Sequence, residues 1–544
     1  MTRSSQRGLY ALWLAVIAGF ALLHAAHLSA DFPNHSPWMS DWAKYTDEGW
    51  YANAAMRAHL LGHWYLPGEF NPAVAVPVWP FLCWILFYFT GVSLEAARGL
   101  AVACFVANLA LSYMLLRARG SRWMALLALT LIVTSPFLYC FSRLAILEPL
   151  LTALTLAALN LAIRLPRLRR PLAASVVIGL LFALMAMTKT TGLFLLPALG
   201  WALVVPLRPN WKMALRCATT AAVTSALAVC AGLALIIHAG LLADFQNYFQ
   251  VNAYIKPPQR TWPLVSLWWS FHGGLWIDRI LVPLAGLVVL SAVLSAVLPA
   301  VLAGRRNLLF DPVFGASVWA VAGCVLFMTV QNHPQPRYFA VAAFFCFFVV
   351  AQGAEALLAA KGHALAFEPG KLAPLPAIAS RVAGFALLAA AAVAVCANAA
   401  WTLNYAAHPE YTFVNAARQI AQYIDAHPNG NRMLASVSGD EICLITRLPA
   451  MGEDFGTQEL DPNLAAYRPG WFASWNDLNP GTLEALHTYY SVEQVAAYRA
   501  FDHPDRNLLV LFKLHPLPNG QTRDPAQQNL QIPLPGDKIA VSAE

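Results

Sequence analysis

Charge is scarce in this sequence. Of 544 residues only 12% are Asp, Glu, Lys or Arg while 59% are hydrophobic, a balance that excludes an ordinary soluble domain and points to lipid as the solvent. A disulfide framework is lacking as well. Most of the nine cysteines lie inside apolar runs and only Cys443 stands clearly in a polar region, so they read as small core residues. There is no internal repeat and no phosphate-cradling glycine-rich loop. The net charge of +7 requires no nucleic acid, because the Lys and Arg residues are segregated into short loops between apolar runs.

What is abundant is apolar length. Runs long enough to cross a hydrocarbon core of about 30 Å as helices recur along the first 400 or so positions. They place about eleven spans, near residues 9–28, 97–116, 123–141, 149–164, 171–187, 191–207, 213–237, 280–300, 313–331, 338–358 and 382–402. The basic loops around Arg117–Arg122, Arg164–Arg170, Arg208–Arg216, Arg305–Arg306 and Lys361–Arg381 then all fall on the side of Arg3 and Arg7, which the positive-inside rule makes the cytoplasm. The N-terminal run resembles a signal peptide but reads as an uncleaved first span. The stretch 76–90 is apolar, aromatic, short and interrupted by proline; crossing there would invert every later loop, so it reads as re-entrant or interfacial.

This topology divides the chain in two. Residues 1–403 form an all-α polytopic membrane domain with long outer loops at 29–96 and 238–279. Residues 404–544 form a small extracytoplasmic α/β domain, with helical periodicity over 413–424, strand-like stretches at 433–437 and 508–514, and a Pro- and Gln-rich tail from about 517 expected to be poorly ordered.

Once sidedness is assigned, polar residues near span ends collect on the outer face. Asp47, Glu48, Arg143, Glu148, Lys189, His272, Arg337 and Tyr338 all fall there, and ionisable groups kept at a membrane boundary mark a water-filled cavity or a substrate path. Each has a plainer reading. Asp47 and Glu48, after Thr46, suit a helix N-terminus by capping and macrodipole complementarity, but a carboxylate pair also supplies a general base and a positioning group. Arg143 and Glu148 suit a structural ion pair, or a phosphate contact and a sugar or acceptor contact. Lys189 suits a snorkelling cation or a phosphate neutraliser. Arg337 and Tyr338, in the segment Gln331–Phe339, suit an interfacial anchor or, with Arg143 and Lys189, a phosphate clamp. The aromatic loop 245–278 suits an interface belt or a sugar or acceptor cleft.

Taken in order, these pieces resemble the C-type glycosyltransferase superfamily, most closely its bacterial branch related to protein O-mannosyltransferases and lipid A aminoarabinose transferases. The resemblance spans roughly residues 9–360 and rests on Asp47-Glu48 with Tyr51, Gly91-Val92-Ser93 followed by Arg98, Arg143 with Glu148, Lys189, and Arg337-Tyr338. It implies a polyprenyl-phosphate-linked sugar as donor, inversion at the anomeric carbon, no obligatory metal or cofactor, and an acceptor that is lipid A, another glycan or a protein. It makes Asp47 the catalytic base or acceptor-orienting carboxylate. Glu148 stands where relatives often carry Asp. It also implies a bacterial inner membrane, with the N-terminus cytoplasmic and the C-terminal domain periplasmic. An O-antigen ligase or an oligosaccharyltransferase-like enzyme is the alternative within the superfamily. Outside it stand a transporter, for which polar sites at mid-membrane in repeated halves are expected, and an assembly scaffold, which leaves the outer charges unexplained.

Overall fold

The computed structural model describes residues 3–64, 72–251, 263–297, 308–330, 335–359, 375–452 and 460–518. The tail from 519, the segment 331–334 and most of the basic loops at 298–307 and 360–374 lie outside the described residues.

Helix α1 (Arg3–Leu23) leads into a first long loop, which carries α2 (Asp47–Leu61) and the apolar α3 (Val78–Thr90). Next come α4 (Leu94–Arg117), α5 (Arg122–Thr134), α6 (Pro136–Ser142), α7 (Glu148–Ala162), α8 (Pro171–Thr188), α9 (Leu196–Leu207) and α10 (Trp211–His238). A second long loop holds α11 (Leu242–Val251) and α12 (Pro263–Gly274). After it run α13 (Leu281–Val297), α14 (Pro312–Val330), α15 (Ala340–Leu358) and α16 (Leu375–Ala407). Each of the eleven expected spans is occupied chiefly by helix. Among the described residues, seven helical stretches are long and apolar enough to cross a membrane, or eight if α5 and α6 form one span; α3, α7 and part of α13 are apolar but shorter. One of the seven, 190–238, contains both α9 and α10.

Local chemistry accounts for the breaks. Ser93 and Ser121 cap α4 and α5 by accepting from Ala96 N and Met124 N. Between α5 and α6 the chain bends by 67° at Ser135, whose backbone is extended because Pro136 follows it, and whose hydroxyl accepts from Leu138 N. Helix α15 is buried nearly all round, as a helix apolar on every face should be, and packs among α5, α7, α13, α14 and α16. Helices α1 and α10 instead present exposed apolar side chains such as Leu12, Leu22, Leu227 and Leu235. The chain is thus a multi-pass membrane protein.

The C-terminal domain begins with α17 (Thr412–Ala426), close to the helix expected at 413–424. Then follow β1 (Leu434–Ser436), α18 (Gly439–Thr446), β2 (Ala450–Met451), α19 (Leu460–Tyr467), β3 (Trp471–Trp475), α20 (Pro480–Tyr489), β4 (Tyr490–Arg499) and β5 (Leu508–Pro516). Strands β1 and β5 match the two expected stretches, while β2, β3 and β4 are additional. The sheet order is β2-β1-β3-β5-β4, with β1 parallel to β2 and β3, and β5 antiparallel to β3 and β4. Side chains alternate between two cores, as the pleat requires. Trp471, Ala473, Leu509 and Leu511 join the core continuous with the membrane domain, and Phe472, Val510, Phe512 and Leu514 join a separate one on the far face. One face of the domain is therefore seated on the loop that carries α2.

Candidate active site

Helix α2 is the hub, and each of its faces has a different partner. Thr46 occupies the N-cap position but makes no cap hydrogen bond; its hydroxyl turns instead to the Trp42 carbonyl and to Asp47 Oδ1, 3.0 Å from each. On one face, Asp47 Oδ2 lies 2.6 Å from Arg337 Nη2. The same guanidinium pairs with Asp41, whose Oδ2 also accepts the Arg337 backbone N–H at 2.9 Å. Lys189, in the turn after α8, pairs with Glu148 in the first turn of α7. Both cations sit over one ring: Lys189 Nζ is 4.6 Å and Arg337 Cζ 4.9 Å from the centroid of Tyr338. Tyr51, one turn along α2 from Asp47, completes the group and feels the charges of Asp47, Arg337 and Glu148.

Burial dominates the electrostatics here. It raises the Asp47 carboxyl above the ordinary Asp range, with Asp41 adding to the effect and Arg337 and Lys189 opposing it. Burial likewise pushes the Tyr51 phenol well up, so it remains a hydrogen-bond donor. Three buried polar atoms of the cluster have no hydrogen-bonding partner among the described residues: Glu148 Oε2, Arg337 Nε, and Asp47 Oδ2, which makes only the ion pair with Arg337. Leaving such groups unsatisfied costs about 1–3 kcal/mol each, which polar groups of a bound substrate could recover.

Other expected site residues have different surroundings. Glu48 is fully buried and gives both oxygens to Arg98 at 2.7 and 2.5 Å, while its Oε1 also accepts the Ala145 N–H at 2.7 Å. Arg98 goes on to donate to the carbonyls of Leu28 and Ala30. This ties the end of α1, α2, α4 and the α6–α7 connection together, which is a structural task. Arg143 was expected to complete a phosphate clamp with Lys189 and Arg337, and the structure does not bring it there. Its guanidinium reaches back to the Ala26 and His27 carbonyls and to the Tyr139 hydroxyl. The reason is local: both carbonyls lie in the turn that follows α1, and a guanidinium has donors enough to reach several acceptors at once. His272 is exposed on α12. Of the aromatic loop, Tyr248 stacks on Trp50 with centroids 6.5 Å apart, while residues 252–262 lie outside the described segments.

Residues not anticipated from sequence include Asp41, Asp440 and Glu441. Asp41 carries a faint signal, since it caps the turn at Trp42–Lys44 through Ala43 N. The other two lie almost 400 positions from α2 and carry none. Among the described residues no three His, Cys, Asp or Glu side chains converge as a metal site.

No family model matches the chain, and no curated protein matches it in sequence. Solved structures do. The chain is similar to ArnT from Cupriavidus metallidurans bound to undecaprenyl phosphate, with 14% identity and a TM-score of 0.57 over 92% of this chain and 98% of that one. Against ArnT in the apo state the values are 16% and 0.55, over 93% and 98%. It is also similar to the archaeal oligosaccharyltransferase AglB from Archaeoglobus fulgidus in complex with an inhibitory peptide and a dolichol-phosphate, at 12% and 0.53 over 96% and 75%. At such identities the likeness is one of fold, and that fold is the C-type glycosyltransferase fold.

Proposed function

We propose that this chain is a membrane glycosyltransferase, moving a sugar from a polyprenyl-phosphate carrier to an acceptor at the outer face of a bacterial inner membrane, with inversion and without an obligatory metal. The observation that carries the reading is the convergence of Asp47, Glu148, Lys189, Arg337 and Tyr338. These come from four separate parts of the sequence and meet at the start of α2, with Glu148 Oε2 and Arg337 Nε unpartnered among the described residues. Similarity of fold to proteins whose structures hold undecaprenyl phosphate or a dolichol-phosphate supports the carrier.

In this reading Asp47 takes the proton of an acceptor hydroxyl or amine as that atom attacks the anomeric carbon from the face opposite the phosphate. The bond from carbon to phosphate oxygen breaks, and its electron pair leaves with the carrier. The phosphate passes from a singly charged diester to a more negative monoester, so cations preorganised near it stabilise the transition state more than the ground state. Lys189 and Arg337 supply them, and Glu148 meets the sugar or acceptor. The acceptor is lipid A, another glycan or a protein.

The deciding experiment is reconstitution of the full chain in liposomes with undecaprenyl monophosphates and diphosphates carrying hexoses or pentoses, together with mass spectrometry of envelope glycolipids and glycoproteins from cells with and without it. Transfer from a monophosphate donor is expected. Transfer only from a diphosphate would favour an oligosaccharyltransferase or O-antigen ligase, and no transfer from any donor would sink the enzyme reading.

Two further outcomes are expected. The double variant Glu148→Gln, Lys189→Met removes a buried pair together, and its affinity for undecaprenyl phosphate should drop about ten- to a hundredfold, as for loss of one charge-assisted hydrogen bond of about 1.5–3 kcal/mol. Isothermal titration in nanodiscs checks it; an unchanged Kd removes Lys189 from the clamp. Secondly, because Asp47 is raised, its basic form is lost at higher pH than usual as the solution is acidified. The acidic limb of kcat/KM should therefore have its midpoint above the ordinary Asp value of about 3.9. A midpoint at or below that value would speak against Asp47 as the base.

A further inference from the structure

The first turn of α2 has an orphan donor that its own N-cap does not satisfy. In an isolated helix the N–H of the third residue finds its partner in the N-cap side chain, but the Thr46 hydroxyl points elsewhere. The Gly49 N–H instead donates to Glu441 Oε2, 2.8 Å away, from the first turn of α18 in the C-terminal domain. Asp440, the preceding residue, accepts from Asn53 Nδ2 and Arg57 Nη2, both at 2.9 Å. Gly49, Asn53 and Arg57 recur every four residues and so form one stripe on α2. All three are buried, and Arg57 is only 1% exposed. The approach requires glycine: a Cβ at position 49 would lie 2.2 Å from the Asp440 carbonyl carbon.

We propose that Asp440 and Glu441 form a clamp supplied by the C-terminal domain, which caps α2 from outside and thereby sets the position of Asp47 without touching either substrate. They are positioning residues, and their effect on turnover rests on the glycosyltransferase reading. Burial, reinforced by the nearby Glu48, holds the Glu441 carboxyl well above the usual range against the pull of Arg98. Glutamine at this position keeps the side-chain length and an oxygen able to accept from the Gly49 N–H.

The test uses the full chain in nanodiscs and two independent readouts. The first is amide hydrogen exchange over 47–57, which needs no substrate. Protection at the start of α2 should match wild type in Glu441→Gln and fall about tenfold or more in Glu441→Ala. The second is steady-state kinetics on a panel of undecaprenyl-phosphate hexoses and pentoses. A displacement of about 1 Å can cost up to about a hundredfold, so Glu441→Ala should lose about tenfold or more in kcat with donor KM within about threefold, and Glu441→Gln should restore it. Gly49→Ala, which wedges the same contact apart with Glu441 intact, should reproduce the kcat loss and covers the case in which Glu441→Ala does not fold. Wild-type exchange in Glu441→Ala, or Glu441→Gln as impaired as Glu441→Ala, would overturn the clamp. Altered exchange with no wild-type turnover on any donor would leave the clamp standing and defeat the enzyme reading.

Discussion

Asp47→Asn is expected to reduce sugar transfer by about two to four orders of magnitude, the range for loss of a general base, while the chain remains folded and inserted. The substitution removes a charge and leaves the shape. Arg337 keeps its pairing with Asp41 through both guanidinium and backbone N–H, so no buried cation is stranded. Affinity for undecaprenyl phosphate should hold or rise, because a carboxylate that competes for Arg337 has gone. A large fall in kcat with donor affinity retained therefore separates a base from a group that merely orients Arg337. The measurement is single-turnover transfer together with carrier affinity in nanodiscs, and near-normal turnover would remove Asp47 from the chemistry.

Arg98→Ala is expected to have the largest effect on stability, about 3–5 kcal/mol, the range for breaking a buried pair from one side. Glu48 would be left charged at 0% exposure, keeping only the Ala145 N–H, and the Leu28 and Ala30 carbonyls would lose their donor. Replacing both partners, as Arg98→Met with Glu48→Met, removes the stranded charge and should recover part of the loss. Thermal unfolding of the purified chain in detergent checks the order: wild type above the double variant, the double variant above Arg98→Ala. Equal melting of Arg98→Ala and wild type would refute the structural role given to this pair. Measurable transfer by the double variant would show that Glu48 is not part of the chemistry.

Much of the architecture was legible because it is written locally. A span declares itself by a run of apolar residues whatever surrounds it, since no unsatisfied backbone can face lipid, and among the described residues the eleven runs are chiefly helical, with seven or eight stretches long and apolar enough to cross a membrane. In the C-terminal domain β1 and β5 were readable, but β2 is two residues long and β4 carries an irregularity at Gln494 and Ala496 that breaks the period-two pattern. The site was partly legible. Asp47, Glu148, Lys189, Arg337 and Tyr338 stood out as polar groups near span ends, Tyr51 only through the family resemblance, and the structure brings them together.

Arg143 and Lys189 show where local reading ends. Each is a lone cation at the end of a span, indistinguishable by composition, yet one satisfies carbonyls beyond α1 and the other joins the cluster. Composition and periodicity determined that the chain lives in a membrane, how its helices are spaced, and which residues could bear charge near the ends of its spans. Only the tertiary structure decided which charges pair, that Glu48 belongs to Arg98 and Asp47 to Arg337, and that α2 is capped from a domain almost 400 residues away. The reason is that hydropathy is a property of short segments, whereas a buried ion pair depends on which distant segments are brought within 3 Å, and no local pattern carries that distance.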